Sequence, residues 1–129
     1  MAETGTLSRQ VLGCAFEVSN SLGTGFLESV YENALCIELG EREIQYRQQL
    51  PLQVCYRNQV VGNFTADILV EDRLLLELKV ATEINRAHRA QLMNYLKATG
   101  ISVGLLLNFG TPKLGVQRIV NQYTADEMI

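Results

Sequence analysis

The sequence predicts an α/β domain with the element order ααβββαβ, followed by one further edge strand. Apolar residues recur at helical spacing before Gly40 and at strand spacing after it, and a helical segment then returns between apolar strand-like segments. At 129 residues, with 47% hydrophobic and 19% charged residues, the chain can bury one core. We therefore expect a single domain over residues 1–129, in which helices cover a sheet.

Two helices open the predicted order. Apolar residues recur every three or four positions over residues 6–22, and Gly23 offers a C-terminal stop, so the first helix is predicted there. The same spacing returns over residues 26–41, where the second helix is predicted to end near Gly40. One apolar face of each helix is expected to pack on the sheet.

Three strands are predicted next, because the spacing of apolar residues changes to that of strands. The first covers residues 44–57 and is expected to be broken at Pro51, since proline cannot donate a ladder hydrogen bond. The second covers residues 59–70, after a turn at residues 57–58. The third covers residues 73–80.

A third helix and two strands complete the order. The helix is predicted over residues 85–99 and is closed by Gly100. Residues 102–109 form a nearly continuous apolar segment, which is typical of a strand buried on both faces. Residues 116–123 are predicted to form a last edge strand.

The charge balance excludes some function classes. A net charge of −3 argues against a protein that coats nucleic acid by bulk electrostatics, although it leaves room for a local basic patch.

The first ten residues lack the apolar core of a signal peptide, and the apolar segments are too short to span a bilayer. We therefore expect a cytoplasmic location and no contact with a membrane.

Three charged side chains stand on the second and third predicted strands. Glu77 and Lys79 are two residues apart, so they share one face of a strand. Asp67 joins that face only if the hairpin loop has an odd length, most simply the three residues 71–73. In that register Asp67 and Glu77 are cross-strand neighbours about 5 Å apart. A two-residue loop would turn Asp67 to the opposite face.

Two neighbouring carboxylates favour a cation between them. Like charges so placed repel, and a hard divalent metal such as Mg²⁺ prefers carboxylate oxygens. Lys79 would then lie beside the metal and face a phosphoryl group or an attacking hydroxide. The alternative is a solvated surface pair of Glu77 and Lys79, because an isolated D-x9-E-x-K pattern arises often by chance.

The third predicted helix adds polar side chains to the face that should pack on the sheet. His88, Gln91 and Tyr95 fall within about 60° of arc on a helical projection. Apolar residues would pack better at these positions. Each residue alone could be a core side chain satisfied by hydrogen bonds, but three together after Lys79 favour a functional site.

This constellation resembles the PD-(D/E)XK nuclease superfamily. Asp67 matches the aspartate at the end of one strand, Glu77 and Lys79 match E-x-K on the next, and Gln91 with Tyr95 matches the Q-x-x-x-Y helix of RecB-type members. The resemblance implies a restriction-endonuclease-like core, α-β-β-β-α-β, with a mixed central sheet and an extra N-terminal helix here.

A closer resemblance runs from about residue 12 to residue 119. The segment GFLESVY at 25–31 is similar to the signature of the GxxExxY proteins, and the other segments typical of that group are present: LGTG, ADILVED, ELK, the H-x-x-Q-x-x-x-YLK helix and GLLLNFG. The family proline is absent, because Ala66 precedes the strand aspartate. Glu28 of the signature is a candidate further acidic ligand, and its alternative role is to complement the helix dipole.

The resemblance implies a metal-dependent nuclease that hydrolyses phosphodiester bonds. DNA is the expected substrate, and Mg²⁺ is the expected metal ion with Mn²⁺ as the alternative. The implied metal ligands are the side chains of Asp67, Glu77 and Glu28 and the backbone carbonyl of Leu78. A water oriented by Lys79 would attack phosphorus in line and leave a 5′-phosphate end.

Further roles follow from the same resemblance. Gln91 and Tyr95 would orient Lys79 or a phosphate, His88 would assist at the rim, and Arg86 and Arg89 would hold flanking phosphates. Tyr31 is expected to pack the second helix on the sheet. Four other glutamates are predicted to be solvated: Glu32, Glu38, Glu41 and Glu43.

Two other functions stay open from the sequence alone. A non-catalytic nucleic-acid-binding or adaptor module would keep the fold, and an enzyme could act on RNA or small nucleotides instead of DNA. Because one small domain offers little surface for gripping a duplex, we expect a homodimer or a larger host complex.

Overall fold

Helices and strands follow one another along the chain in the expected order. The structure, a computed structural model, describes residues 4–121. Within that range the elements are α1 (Thr4–Leu22), α2 (Glu28–Glu41), β1 (Tyr46–Tyr56), β2 (Gln59–Val70), β3 (Leu74–Lys79), α3 (Arg86–Thr99), β4 (Val103–Asn108) and β5 (Gly115–Val120). None of the helices in this range combines the length and the apolar character needed to cross a bilayer.

The strands form one mixed sheet in the order β1-β2-β3-β4-β5. The first three strands are a chain of antiparallel hairpins. Helix α3 then carries the chain back across the sheet, so β4 pairs parallel to β3, and β5 returns antiparallel to β4. This topology puts β3, which carries Glu77 and Lys79, at the centre of the sheet.

The sheet separates two apolar clusters. On one face α1 and α2 pack against even-numbered residues of β3, including Leu76 and Leu78. On the other face α3 packs through Leu92 and Leu96 against Leu75 and its neighbours. Alternation along β3 therefore turns odd-numbered residues, and so the E-x-K pair, toward α3.

The ends of α3 follow the signals in the sequence. Asn85 caps the first turn, because its side-chain oxygen accepts a hydrogen bond from the His88 N–H. Gly100 closes the helix in the left-handed region at φ 75°, and its N–H donates to the Leu96 carbonyl. Both predicted boundaries are confirmed.

Two strand predictions need comment. The predicted break at Pro51 is wrong: β1 runs continuously from Tyr46 to Tyr56, and Pro51 lies opposite Thr65 within the ladder. β1 is an edge strand, where a residue without an N–H can be accommodated on the unpaired side. The last strand ends at Val120, and the predicted residues 122–123 lie outside the described range.

The segment after β3 is fastened to the end of β4. The Oδ1 atom of buried Asn108 accepts hydrogen bonds from the Ala81 and Gly110 N–H groups, both at 3.0 Å. Its Nδ2 donates to the Ala81 carbonyl at 3.0 Å. A Cβ at Gly110 would lie 2.4 Å from backbone atoms of Ala81, so only glycine permits this approach. The contact fixes the chain that leaves Lys79.

We predict that Gly110→Ala lowers the free energy of unfolding by about 1–3 kcal/mol, because the backbone of Ala81 must move. Gly40→Ala is the matched control, since no atom lies within 4 Å of a Cβ built there and the residue is helical. Urea unfolding followed by circular dichroism measures both. Equal stability of the two variants would contradict the prediction.

Candidate active site

The β2–β3 hairpin has the register that the site requires. Ile68 lies opposite Leu76, and the loop consists of the three residues 71–73. Continuing this register puts Asp67 opposite Glu77. The predicted odd loop length is therefore confirmed, and it brings the two carboxylates to adjacent strands.

Each of the two carboxylates accepts a backbone hydrogen bond from the other strand. The Asp67 N–H donates to Oε1 of Glu77 at 2.9 Å, and the Leu78 N–H donates to Oδ2 of Asp67 at 2.7 Å. These side-chain bonds stand where further ladder bonds would otherwise form. In a strand the carbonyl and the N–H of one residue point to the same side, so the Leu78 carbonyl also faces β2.

Burial makes this carboxylate pair electrostatically costly. Glu77 is 3% exposed, and burial, together with the Asp67 charge, raises its pKa to about 8. Burial also raises the pKa of Asp67 to about 6, with smaller contributions from the charges of Glu32 and Glu28. The Leu78 N–H and the Lys79 ammonium partly oppose these shifts. A cation beside the pair would favour ionisation of both carboxylates.

Asp67 lies at a change of face in β2. Ala66 packs in the cluster beneath α3, whereas Ile68 packs in the cluster beneath α1 and α2. Two even-numbered residues of one strand would normally share a face. Gln49, opposite Asp67 on β1, has a φ of 56°, so the neighbouring strand is irregular at the same level. The local distortion sets the direction of the Asp67 side chain.

Glu28 stands at the first residue of α2 and is exposed. Its charge raises the pKa of both Asp67 and Glu77, so it lies on the same side of the molecule as the strand carboxylates. Its predicted role as a metal ligand stays a prediction. Helix α2 has no side-chain N-cap, so Glu28 also complements the helix dipole.

Tyr31 holds the loop before α2. Its hydroxyl donates to the Gly23 carbonyl at 2.7 Å and accepts from the Phe26 N–H at 3.3 Å. Its buried ring stacks on Phe109 with the centroids 4.8 Å apart. Gly25 adopts a φ of 109°, which favours glycine. The packing role expected for Tyr31 is confirmed, and it fixes where α2 begins.

The prediction that Glu32 is solvated is wrong. Glu32 is 7% exposed, one helical turn after Glu28. Nε2 of Gln48 donates to Oε2 of Glu32 at 2.7 Å, and Nε2 of Gln49 donates to both carboxylate oxygens at 2.9 and 2.8 Å. The two amides satisfy a carboxylate that burial would otherwise penalise. One sequence feature could have indicated this position: Glu32 lies four residues after Glu28, so both side chains are on one face of α2.

The other glutamates of this region agree better with expectation. Glu41 and Glu43 are exposed, and Glu38 is half-buried with an oxygen 4.0 Å from Arg42. Glu32 is therefore the member of this group that belongs to the site, through its effect on Asp67.

Lys79 is held by α3. Its Nζ donates to Oε1 of Gln91 at 2.8 Å, so the E-x-K strand and the helix meet at this point. The predicted role of Gln91 in orienting Lys79 during catalysis stays a prediction. Tyr95 lies one turn further along α3. Its burial raises its pKa, and the nearby charges of Glu77 and Asp67 raise it further. The three strand side chains and these two helix side chains therefore form one neighbourhood.

The remaining predicted residues lie near the start of α3. Nδ1 of His88 accepts from the Asn85 N–H at 3.2 Å, so this imidazole completes the helix cap. Arg86 is exposed, while half-buried Arg89 has Nη1 3.4 Å from Oε1 of Gln117 on β5. Their roles at the rim and on flanking phosphates stay predictions.

The donor set fits a hard cation. Asp67 and Glu77 supply carboxylate oxygens in a buried place where a positive charge is missing. Over residues 4–121 no three His, Cys, Asp or Glu side chains are close enough together to hold a metal ion as they stand. The two strand carboxylates, which are bonded to N–H groups, would have to be joined by a third donor.

Comparison with known proteins agrees with this architecture. A family model described as the PD-(D/E)XK nuclease superfamily matches residues 5–119. The crystal structure of SSO0001 is similar with a TM-score of 0.56 at 14% sequence identity, over 76% of this chain and 52% of that one. The chain thus spans about half the length of that protein, and the likeness is one of fold. No curated protein matches the sequence. The expected restriction-endonuclease-like fold is confirmed.

We predict that the metal-free protein loses stability as the pH rises from about 5 to about 9. The folded-state pKa values of Asp67 and Glu77 lie above those of an unfolded chain, so the folded state binds more protons in this range and is favoured at the acidic end. The loss should be on the order of a few kcal/mol. Urea unfolding in EDTA at several pH values measures it.

Glu77→Gln should remove most of this pH dependence, because the amide stays neutral throughout. Glu41→Gln, at an exposed position of α2, is the matched control and should keep the wild-type dependence. An unchanged slope in Glu77→Gln would show that the buried pair does not cause it.

Proposed function

The chain belongs to the PD-(D/E)XK nuclease superfamily, and from this membership we propose that it hydrolyses phosphodiester bonds in DNA with a divalent metal ion. Nucleases of this superfamily generally use divalent metal ions. The observation that best supports the proposal is the pair of half-buried Asp67 and buried Glu77, with Lys79 two residues beyond Glu77 on the same strand face. Burying such a set of charged groups costs stability, and groups of this kind are common at functional sites.

Within the superfamily we assign the chain to the GxxExxY proteins. Gly25, Glu28 and Tyr31 supply the three signature positions. Their structural roles support the assignment, because the glycine has a positive φ and the tyrosine hydroxyl ties the loop before α2. The signature thereby presents Glu28 at the start of the helix.

The metal would be Mg²⁺ or Mn²⁺, held by the side chains of Asp67, Glu77 and Glu28 and by the carbonyl of Leu78. All four donors are hard oxygens, which these ions prefer. When bound, the ion would neutralise charge on the phosphate and lower the pKa of a nearby water. Its positive charge would offset the burial and the Asp67 charge that raise the pKa of Glu77.

The residues of this chain supply positioning and positive charge. One N–H group of the Lys79 ammonium donates a hydrogen bond to Gln91, which leaves two further N–H groups to orient a water or a phosphate oxygen. The Tyr95 hydroxyl lies in the same neighbourhood and would donate a hydrogen bond to a phosphate. His88 at the rim, with Arg86 and Arg89, would contact neighbouring phosphates.

The reaction is an in-line displacement at phosphorus. A water held by Lys79 forms a new oxygen–phosphorus bond while the bond from phosphorus to the 3′ oxygen breaks. The water loses a proton, the departing 3′ oxygen gains one, and the product carries a 5′-phosphate end. The carboxylates stay ionised throughout once their charge is compensated.

We predict that the protein cleaves DNA in the presence of Mg²⁺ or Mn²⁺, and that Lys79→Ala lowers the rate about a hundredfold or more, because a charge aimed at the phosphate is lost. The matched control is Lys113→Ala, which removes an exposed lysine outside the site. Cleavage of labelled single- and double-stranded DNA and RNA measures the rates. Cleavage of RNA alone would correct the substrate, and no cleavage by any preparation would favour an adaptor module.

We also predict that millimolar Mg²⁺ or Mn²⁺ raises the melting temperature, because an ion that binds the folded state stabilises it. Asp67→Asn should abolish the increase. Asp72→Asn is the matched control, since Asp72 is an exposed aspartate of the same hairpin, paired with Arg47. Scanning fluorimetry with and without EDTA measures the shift, and an equal increase in both variants would refute the site.

A further inference from the structure

A groove of about 970 Å³ runs along α3 toward the candidate active site. One wall is α3, where small residues such as Ala87 and Ala90 leave room. The other wall is the part of the β1–β2 hairpin that carries Gln53 and Phe64. Apart from Gln91 and Tyr95, the residues that line the groove have no role in the site described above.

An aromatic ring is presented to this groove. Phe64 is 46% exposed, although its ring lies close to the backbone of its own strand. A Cβ at Gly62 would lie 2.7 Å from this ring, so the glycine is what lets the ring lie flat there. The ring is tilted by 47° against Tyr95, with the centroids 6.1 Å apart. The exposed part of the ring lines the groove, where a flat, apolar ligand can contact it.

The groove and the candidate active site share residues. Gln91 and Tyr95 line the groove, and Gln91 also holds the Lys79 ammonium at 2.8 Å. A polymer with one phosphate at Lys79 would therefore continue past Tyr95 into the groove. The next unit of that polymer would meet the ring of Phe64.

We propose that the groove binds an unpaired nucleotide of the substrate strand, with its base stacked on Phe64. The inference rests on the proposed nuclease function and specifies its substrate: a single-stranded or frayed segment beside the cleaved bond. Bases in a duplex have their faces covered by neighbouring pairs, whereas an unpaired base has a free face. Gln53 and Asn94 offer amide groups to the base edge.

Charge favours stacking over electrostatic capture. The chain carries a net charge of −3, and Lys97 is the charged residue of the groove wall. A site that depended on neutralising many phosphates would need more cations than this. Binding in the groove should therefore weaken only slightly with added salt.

A protein segment is the rival occupant. The outer part of the β1–β2 hairpin exposes apolar side chains, including Tyr56, Val60 and Val61, which a second copy of the chain could cover. These residues do not line the groove, whose inner end instead meets the residue that holds Lys79. The position of the groove therefore favours a nucleotide.

The test uses the whole protein in EDTA, so that binding is measured without cleavage. Oligonucleotides carrying 2-aminopurine, as single-stranded DNA, single-stranded RNA and duplex DNA, are titrated and followed by fluorescence quenching and anisotropy. We expect quenching with single strands, and about tenfold weaker binding with loss of quenching in Phe64→Ala. The DNA and RNA arms distinguish the two sources of an unpaired base.

Phe16→Ala is the matched control, because Phe16 is 40% exposed on α1, which covers the opposite face of the sheet. It should bind as the wild type does. Gly62→Ala is a second variant that keeps the Phe64 ring but displaces it, and it should also reduce quenching. Circular dichroism checks that each variant folds, and the two variants together separate loss of the ring from general destabilisation.

Three results would overturn the proposal: wild-type affinity in Phe64→Ala, duplex binding as tight as single-strand binding, or a wild-type dimer that Phe64→Ala dissociates without changing nucleotide affinity. The dimer result, seen by analytical ultracentrifugation, would assign the groove to a second copy. Quenching without any cleavage in Mg²⁺ would support nucleotide binding in the groove and refute the proposed hydrolysis. Cleavage that does not depend on Phe64 would support hydrolysis and refute the role of the groove.

Discussion

The structure depends on two neighbouring carboxylates, buried Glu77 and half-buried Asp67, at the place where β2 and β3 stop forming a regular ladder. Asp67 and Glu77 each accept a backbone N–H from the opposite strand, so these charged side chains replace the missing ladder bonds. The exchange satisfies the backbone but leaves two acids in a poorly solvated place. The rest of the site surrounds these two carboxylates.

The surrounding elements all act on this pair. Helix α2 brings Glu28 and Glu32 toward it, and the second of these is fastened to β1 by two glutamine amides. Helix α3 contributes Gln91, which restrains the neighbouring ammonium of Lys79. The acidic side chains of the site thus come from α2 and from the β2–β3 hairpin, and Lys79 is held by a neutral side chain of α3. The negative charge of the site therefore favours binding of a cation.

Much of the fold and half of the site could be predicted from the sequence, because local rules decided them. Alternation and loop parity determine the hairpin register, and Gly100 marks the end of α3. Burial that depends on distant partners escaped prediction. Glu32 looked solvated because its amide partners lie on another strand, and Pro51 looked like a break because its edge position was unknown. The capping role of His88 was not predicted, because it depends on a hydrogen bond from the Asn85 N–H to the imidazole.

The tie between the end of β3 and Asn108 has a consequence for how the protein is made. Lys79 pairs with Asn108, a residue that leaves the ribosome long after it. Contacts so far apart in sequence form late. Lys79 therefore gains its final position in the sheet only after Asn108 has been synthesised and β4 can pair with β3.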